Sequence, residues 1–583
     1  MSFVTDPARA ERSLARRLRA GWPELVAAGI PVAWLLASRG AGLLDPRSMG
    51  WLARGDSASH LIGWLFFARE PWHWPPARIE SWLVPAGTTL GFADAIPLLA
   101  FPLKLLAGAL EAPFQFFGLW FAACLILQAV VGSRLLAELG AGERLRAYGG
   151  ALLALSPVLW DRFERGHFSL AAQWLVLAAF LAWVRFFRSG GRLRHLVGLA
   201  ALPVLAAAIH PYLALITGAL LAAIVPAALR FGARRAAAAL GLLTVAALVS
   251  LAVAYAGGFL GAGERLRAGG WGNYSADLAS PLNPGTDSRL LPPLFPPSES
   301  REGFAYLGLG LLAAGAVGLF LELRARLRAG AQPEEPGGRD RHGLRALWIA
   351  CSLLALVAAL PAIRLFGAEL ASARSVTAIL EVPLGAFRAN GRLLWPLHAL
   401  LGVAALRGLR SLAGRPLAGA AVLLLALALQ LAERPVPGDR PKRDVATGEE
   451  VASWRRAAHG VTKVAMLPLF LKDGGDVFCG GIHGDDWSRA AYLAAGSGMS
   501  FDSGYVARLN APLARARCAE GEERLRTGQL EPDTIYLVRP RRARIFGNRG
   551  LACEPYWGSL WRCRAPGAEM RPPAGGQGTA ADQ

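Results

Sequence analysis

The 583-residue chain is 54% hydrophobic and 18% charged, with a mean hydropathy of +0.35. That excludes a string of ordinary soluble domains as well as a fibrous or disordered chain. The formal net charge is +20, and almost all the basic residues are arginine, with lysine confined to Lys104, Lys442, Lys463 and Lys472. Nucleic-acid binding is set aside, because the arginines are dispersed over many short loops and form no stripe with interleaved aromatics.

A basic segment, residues 1–21, precedes eleven apolar runs near 22–43, 114–136, 147–160, 170–187, 196–209, 212–229, 236–258, 304–322, 345–361, 393–409 and 416–432. A bilayer-spanning helix takes about 20 mostly apolar residues, fewer where the path is shortened. The runs therefore predict a polytopic α-helical membrane domain over 22–432. Arginines gather in alternate loops, in clusters that begin at Arg9, Arg134, Arg185, Arg230, Arg324 and Arg407. By the positive-inside bias those loops and the N-terminus are cytoplasmic. The Arg-over-Lys and Ala/Leu/Gly bias suggests a GC-rich bacterial genome, so the expected membrane is a bacterial inner membrane. The first run is expected to be an uncleaved span, because it is long and no clear small-x-small cleavage site follows it.

The apolar stretch 95–110 carries Pro97, Pro102 and Lys104, and counting it as a crossing would invert every later loop. It is expected to lie in the outer interface, within a first external loop of about 44–113. An odd number of spans leaves the C-terminus outside too. From 433 to 564 the apolar runs shorten to strand length. Val461–Leu471 and Thr534–Val538 read as strands, and Glu449–Ala458, Trp487–Ala495 and Ala514–Arg526 as helices. This predicts a small periplasmic α/β domain, followed by a disordered tail over 565–583. Its four cysteines, Cys479, Cys518, Cys553 and Cys563, suit one or two disulfides with three possible connectivities. A zinc site is disfavoured, since there is no CxxC pair and His483 is not at ligand spacing from one.

Polar side chains concentrate on the external side. The first loop presents Gly55-Asp56-Ser57 and His60, then Trp72-His73-Trp74, then Phe92-Ala93-Asp94 before Pro97. For Asp56 or Ser57 the local alternative is an ordinary helix N-cap. A second group is Asp161-Arg162-Phe163-Glu164-Arg165-Gly166-His167, and a third is His210-Pro211-Tyr212, where proline frees backbone groups. A Pro-, Gly- and Asn-rich segment from Trp271 to Glu302 reads as a structured loop, and Arg388, Asn390 and Arg392 stand at the mouth of a late span. A carboxylate, histidines and paired arginines at an external membrane surface suit transfer of a sugar from a lipid-linked phosphate. Arg388 and Arg392 would dock the phosphate, and Asp56 would take the proton from the attacking hydroxyl. His60, Arg165, His167, His210, Tyr212 and Asn390 would line the substrate.

These strings, with Glu302-Gly303-Phe304-Ala305-Tyr306-Leu307-Gly308 and Phe387-Arg388-Ala389-Asn390-Gly391-Arg392, resemble the GT-C superfamily of polytopic glycosyltransferases, and within it a bacterial domain-of-unknown-function family. The resemblance covers about residues 20–565. It implies a GT-C-like fold, a polyprenyl-phosphate-linked sugar donor, and a glycan, lipid or protein acceptor. It also implies Asp56 as the catalytic base. Many GT-C enzymes carry a second acid directly beside that base, whereas this chain has Ser57, which weakens a metal held by adjacent acids and leaves Asp94 as the second catalytic carboxylate. No tightly bound cofactor or metal ligand is expected, and a divalent cation stays open.

Two other functions compete. A transporter or lipid flippase generally shows ionisable groups near mid-bilayer or repeated halves, and neither is visible. A noncatalytic envelope-assembly protein would tolerate loss of Asp56, Asp94 and His167 together. No phosphate-loop or nucleophile motif is complete, Gly140-Ala141-Gly142-Glu143 lacking the Lys-Ser/Thr ending.

Overall fold

The computed structural model describes residues 7–107, 113–260, 271–296, 301–329, 338–434, 444–458, 460–474, 476–480, 486–548, 551–557 and 560–564. The expected tail over 565–583 and His483 lie outside these residues.

The chain opens with helix α1 (Pro7–Arg39). Around the first loop come α2 (Gly55–Arg69), a short hairpin β1 (Arg78–Ile79) and β2 (Thr88–Thr89), and α3 (Pro97–Leu106). The bundle continues through α4 (Phe117–Glu138), α5 (Glu143–Ala154), α6 (Pro157–Glu164), α7 (Trp174–Arg188), α8 (Leu193–Ala207), α9 (Pro211–Ala228), α10 (Ala233–Ala256), α11 (Leu309–Ala329) and α12 (Gly338–Ala359). After a hairpin of β3 (Ala362–Leu365) and β4 (Ala368–Ser372) come α13 (Arg374–Leu384), α14 (Trp395–Gly408) and α15 (Pro416–Ala432).

A helix occupies each apolar run. Among the described residues, five helices are long and apolar enough by length and composition to cross a membrane, and Leu193–Ala207 and Pro416–Ala432 are shorter apolar ones. One run is not a single helix. Between 143 and 164 the helix ends at Ala154 and restarts at Pro157, because Pro157 supplies no amide to continue the ladder and suits a first-turn position. Within the stretch 95–110, Pro97–Leu106 form the ten-residue α3, with Pro97 in its first turn. Lys104 is buried there, its Nζ 4.1 Å from the Phe67 ring and 4.3 Å from that of Trp72, so apolar stem and cation are both covered by aromatic faces. The hairpin at β3–β4 has no clear alternating signal in the sequence.

The last third contains α16 (Gly448–Ala457), β5 (Lys463–Leu467), β6 (Phe470–Lys472), β7 (Val477–Gly480), α17 (Asp486–Gly496), β8 (Ser500–Phe501), β9 (Gly504–Tyr505), α18 (Ala511–Thr527), β10 (Thr534–Val538), α19 (Pro540–Gly547), β11 (Ala552–Trp557) and β12 (Leu560–Arg564). A five-stranded sheet runs β11-β12-β10-β5-β8, with β5 parallel to β10 and β8, and a three-stranded sheet runs β7-β6-β9. The single strand expected over Val461–Leu471 is split into β5 and β6, in different sheets. Pro468 falls at the break and cannot donate to a ladder. The disulfides are Cys479–Cys518, which ties β7 to α18, and Cys553–Cys563, whose residues face each other across β11 and β12.

This segment is not detached from the helices. Phe501 bridges to Trp82 of the first loop, Val84 N donates to Phe501 O at 3.2 Å, and Phe501 N donates to Ser81 O at 2.9 Å. Arg517, buried, donates to Leu83 O at 3.2 Å and to Asp502 O at 2.8 Å. Ala507 N donates to Phe92 O at 2.7 Å. The indole of Trp82 stacks between Phe66 of α2 and Trp487 of α17 at centroid distances of 6.0 and 6.3 Å. The first loop and the C-terminal segment therefore share one core.

Candidate active site

A cavity of about 940 Å³ is lined by residues that lie far apart in the chain, from Asp56 to Arg508. Its polar wall holds Asp56 and His60 from α2, Asp94, Arg165 and His167 after α6, Glu302, Arg388 and Arg392, and also Tyr505 and Arg508 of the C-terminal segment. The apolar wall comes from α8, α9 and α10, including Ala207, Gly218, Ala222, Ala246 and Leu251. Most of α10 lies open at the protein surface, with 11% of its apolar window buried.

Asp56 lies in the first turn of α2, where Arg54 is the N-cap residue and no side chain caps the helix. The capping role open to Asp56 and Ser57 on local sequence is filled by neither. His167 Nε2 lies 2.7 Å from Asp56 Oδ2, while Arg162 Nη1 donates to His167 Nδ1 at 3.2 Å. A guanidinium offers only donors, so Nδ1 accepts and the ring proton sits on Nε2, directed at the carboxylate. Gly166 makes this approach possible. Its φ is +76°, and a Cβ there would meet Ser57 N at 2.6 Å and Ser57 Oγ at 2.7 Å.

The Asp56 side chain keeps 35% of its surface accessible. Burial works to raise its pKa, but the hydrogen bond and charge of His167, helped by His60 and by a hydrogen bond from the Tyr505 hydroxyl, hold it below the usual carboxylate range. Asp94 moves the other way. Burial and the neighbouring Asp56 charge overcome Arg392 and push it up to about 7. Asp94 has φ +54°, as does Ile96 two residues on, a left-handed backbone uncommon for a β-branched residue. This bend brings Asp94 Oδ1 to 3.6 Å from His210 Nε2. His210 caps α9, its Nδ1 accepting from Tyr212 N at 3.2 Å.

The other expected residues separate into different jobs. His60 lines the cavity but is buried edge-on against Phe117 and Phe168, and burial pushes its imidazole down to about 3. Arg165 bonds Asp161 Oδ1 at 2.8 Å. The Tyr212 hydroxyl accepts from Ala389 N at 2.6 Å, and the ring lies 4.5 Å beneath the Arg392 guanidinium. Arg392 Nε donates to Glu302 Oε2 at 2.8 Å, and Arg162 Nη1 donates to the same oxygen at 2.8 Å. Arg392, expected to dock a phosphate, lines the cavity and is paired there with the buried Glu302 carboxylate. Asn390, expected to contact substrate, does not line the cavity; its amide donates to Ala358 O at 3.2 Å and Leu360 O at 2.8 Å, closing the buried carbonyl end of α12.

Sequence reasoning assigned no role to Glu302, Arg162, Tyr505 or Arg508. Arg162 and Glu302 stood inside strings already singled out. Tyr505 and Arg508 lay in a segment read as a separate domain, and no local pattern connects them to α2.

A family model described as Domain of unknown function (DUF6311) matches residues 28–434, more than half of the chain. The chain belongs to this DUF6311 family. A second model, described as the DUF6311 C-terminal domain, matches residues 453–565, so the two matches together cover both parts that line the cavity. No curated protein matches. Among solved structures, the DUF6311 chain is similar to the archaeal oligosaccharyltransferase AglB from Archaeoglobus fulgidus in complex with an inhibitory peptide and a dolichol-phosphate. That likeness has a TM-score of 0.40 at 10% identity, covering 90% of this chain and 70% of that one. It is also similar to ArnT from Cupriavidus metallidurans bound to undecaprenyl phosphate, with a TM-score of 0.37 at 11% identity, covering 94% and 99%.

Proposed function

We propose that this membrane protein is a GT-C-type glycosyltransferase that moves a sugar from a polyprenyl-phosphate-linked donor to an extracytoplasmic glycan, lipid or protein acceptor. One observation carries the reading: an ionised, histidine-held Asp56 faces the same cavity that the apolar groove of α8, α9 and α10 opens into. A polar reacting centre joined to an apolar channel beside a surface helix matches a substrate that is sugar phosphate at one end and isoprenoid at the other.

In this mechanism the acceptor hydroxyl oxygen attacks the anomeric carbon as the bond from that carbon to the phosphate oxygen breaks. Asp56 takes the hydroxyl proton, polyprenyl phosphate leaves with the bonding pair, and the anomeric configuration inverts. The leaving phosphate needs charge stabilisation more than a proton. Asp94 sits where it can donate a hydrogen bond when protonated. Among the described residues no three His, Cys, Asp or Glu side chains converge as metal ligands.

The arginine-rich loops are assigned to the cytoplasm and the cavity with residues 433–564 to the periplasm, a compartment that suits the two disulfides. Mass spectrometry of lipid-linked glycans and envelope polysaccharide from a deletion strain tests the proposal. It should show an accumulated lipid-linked sugar and a glycan missing that sugar. Unchanged glycans combined with trapped lipid on the inner leaflet would favour a flippase instead.

A further inference from the structure

Two arginines in the cavity wall are in salt-bridge contact with no carboxylate among the described residues, the nearest acids acting on Arg508 only through space. Arg165 is matched by Asp161 and Arg392 by Glu302, whereas Arg388 and Arg508 form no ion pair among the described residues. Each donates to a backbone carbonyl of the opposite part of the chain. Arg388, just before α14, donates from Nη2 to Gly474 O of the C-terminal segment. Arg508, in the C-terminal segment, donates from Nη2 to Ala386 O at 3.1 Å and from Nη1 to Ala507 O at 2.9 Å.

This crosswise clasp places two guanidinium forks on one wall. Gly474 has no side chain to interfere, and a Cβ there would collide with Arg388 Nη2. The Arg388 guanidinium lies 5.3 Å over the Tyr274 ring, which fixes its plane. Burial, with the Arg388 charge adding to it, pulls the Arg508 guanidinium below its ordinary range, against a partial opposing pull from Tyr212, Asp473 and Asp94. Carbonyl oxygens orient such a pair without neutralising it, and the unused N–H donors suit a tetrahedral anion.

We propose that Arg388 and Arg508 together form the phosphate-binding site for the lipid-linked donor, so that the C-terminal segment supplies half of that site. The inference rests on the glycosyltransferase reading and deepens it by naming where the phosphate sits. It also replaces the Arg388–Arg392 pairing suggested by sequence spacing alone.

The test is equilibrium binding of undecaprenyl phosphate, undecaprenol and inorganic phosphate to the full chain in detergent. Arg388→Gln and Arg508→Gln should each weaken undecaprenyl phosphate roughly 10- to 100-fold and leave undecaprenol unchanged. Should a Gln variant fail to fold, Arg388→Lys and Arg508→Lys keep the charge but lose the fork, and a loss of about tenfold is expected. Inorganic phosphate that binds as tightly as the lipid through the same two arginines would uphold the anion site and make a free phosphate its ligand. Wild-type affinity in all the arginine variants would overturn the proposal while leaving the glycosyltransferase reading intact. A wild-type chain that binds no undecaprenyl phosphate would overturn both.

Discussion

His167 holds Asp56 through its Nε2, 2.7 Å from Asp56 Oδ2, and it does so because its Nδ1 is occupied by Arg162 at 3.2 Å. The two residues are 111 positions apart in sequence and come from different loops. Arg162 in turn bonds Asp161, and at 2.8 Å Glu302. The base is therefore oriented by a buried ion-pair chain that it does not join directly.

Removing the imidazole leaves burial of Asp56 largely unopposed, so its pKa rises. His167→Asn should then shift the acidic limb of the pH–rate profile to higher pH, because the base works only when ionised. At neutral pH, kcat should fall roughly 10- to 100-fold. An unmoved acidic limb would mean that another group controls the base.

Asp94 is raised in the folded state to about 7 from an ordinary value of 3.8. A raised acid makes the folded chain bind more protons than the unfolded one between those values, so its contribution to stability falls as pH rises through that window. Asp94→Asn removes the titration. It should melt together with the parent near pH 4 and above it at pH 8, as read by thermal melting in detergent.

Glu302 serves two buried arginines, Arg162 and Arg392. Glu302→Gln strands the Arg392 charge, while Arg162 keeps Asp161, and a loss of about 3–5 kcal/mol is expected in thermal or denaturant unfolding. Arg392→Ala should likewise act on stability first, in contrast to Arg388→Gln and Arg508→Gln, which should act on donor affinity.

The Cys479–Cys518 disulfide closes a loop with a sequence separation of 39 that contains Tyr505 and Arg508. A Cys479→Ser/Cys518→Ser pair should lose up to about 4 kcal/mol by the chain-entropy account. Because the loop carries two cavity residues, donor affinity should fall with it. A lower melting temperature with unchanged affinity would show that other contacts position the segment.

Much of the helical architecture is legible in the sequence, because apolar runs of bilayer length have few alternatives. The break at Pro157 and the split at Pro468 are each marked by a proline whose effect depends on its neighbours. Asp56, Asp94, His167 and Arg392 all line the cavity, having stood out as polar residues on one expected membrane face. Asn390 stood in the same string as Arg392, but a local pattern does not distinguish a side chain that seals a helix end from one that faces a substrate. Arg508 carries no local signal at all. It reaches the cavity only through long-range pairing such as Ala507 with Phe92 and Arg508 with Ala386, which the sequence does not reveal.

The central claim is that Asp56 is the base, and the most direct measurement is sugar transfer by Asp56→Asn in reconstituted membranes with a polyprenyl-phosphate-linked donor. The substitution keeps the size of the side chain but leaves no carboxylate to take the proton. The account predicts that transfer drops by roughly 100-fold or more while melting temperature and undecaprenyl phosphate binding stay near wild type. An Asp56→Asn protein that transfers sugar at the wild-type rate would contradict it.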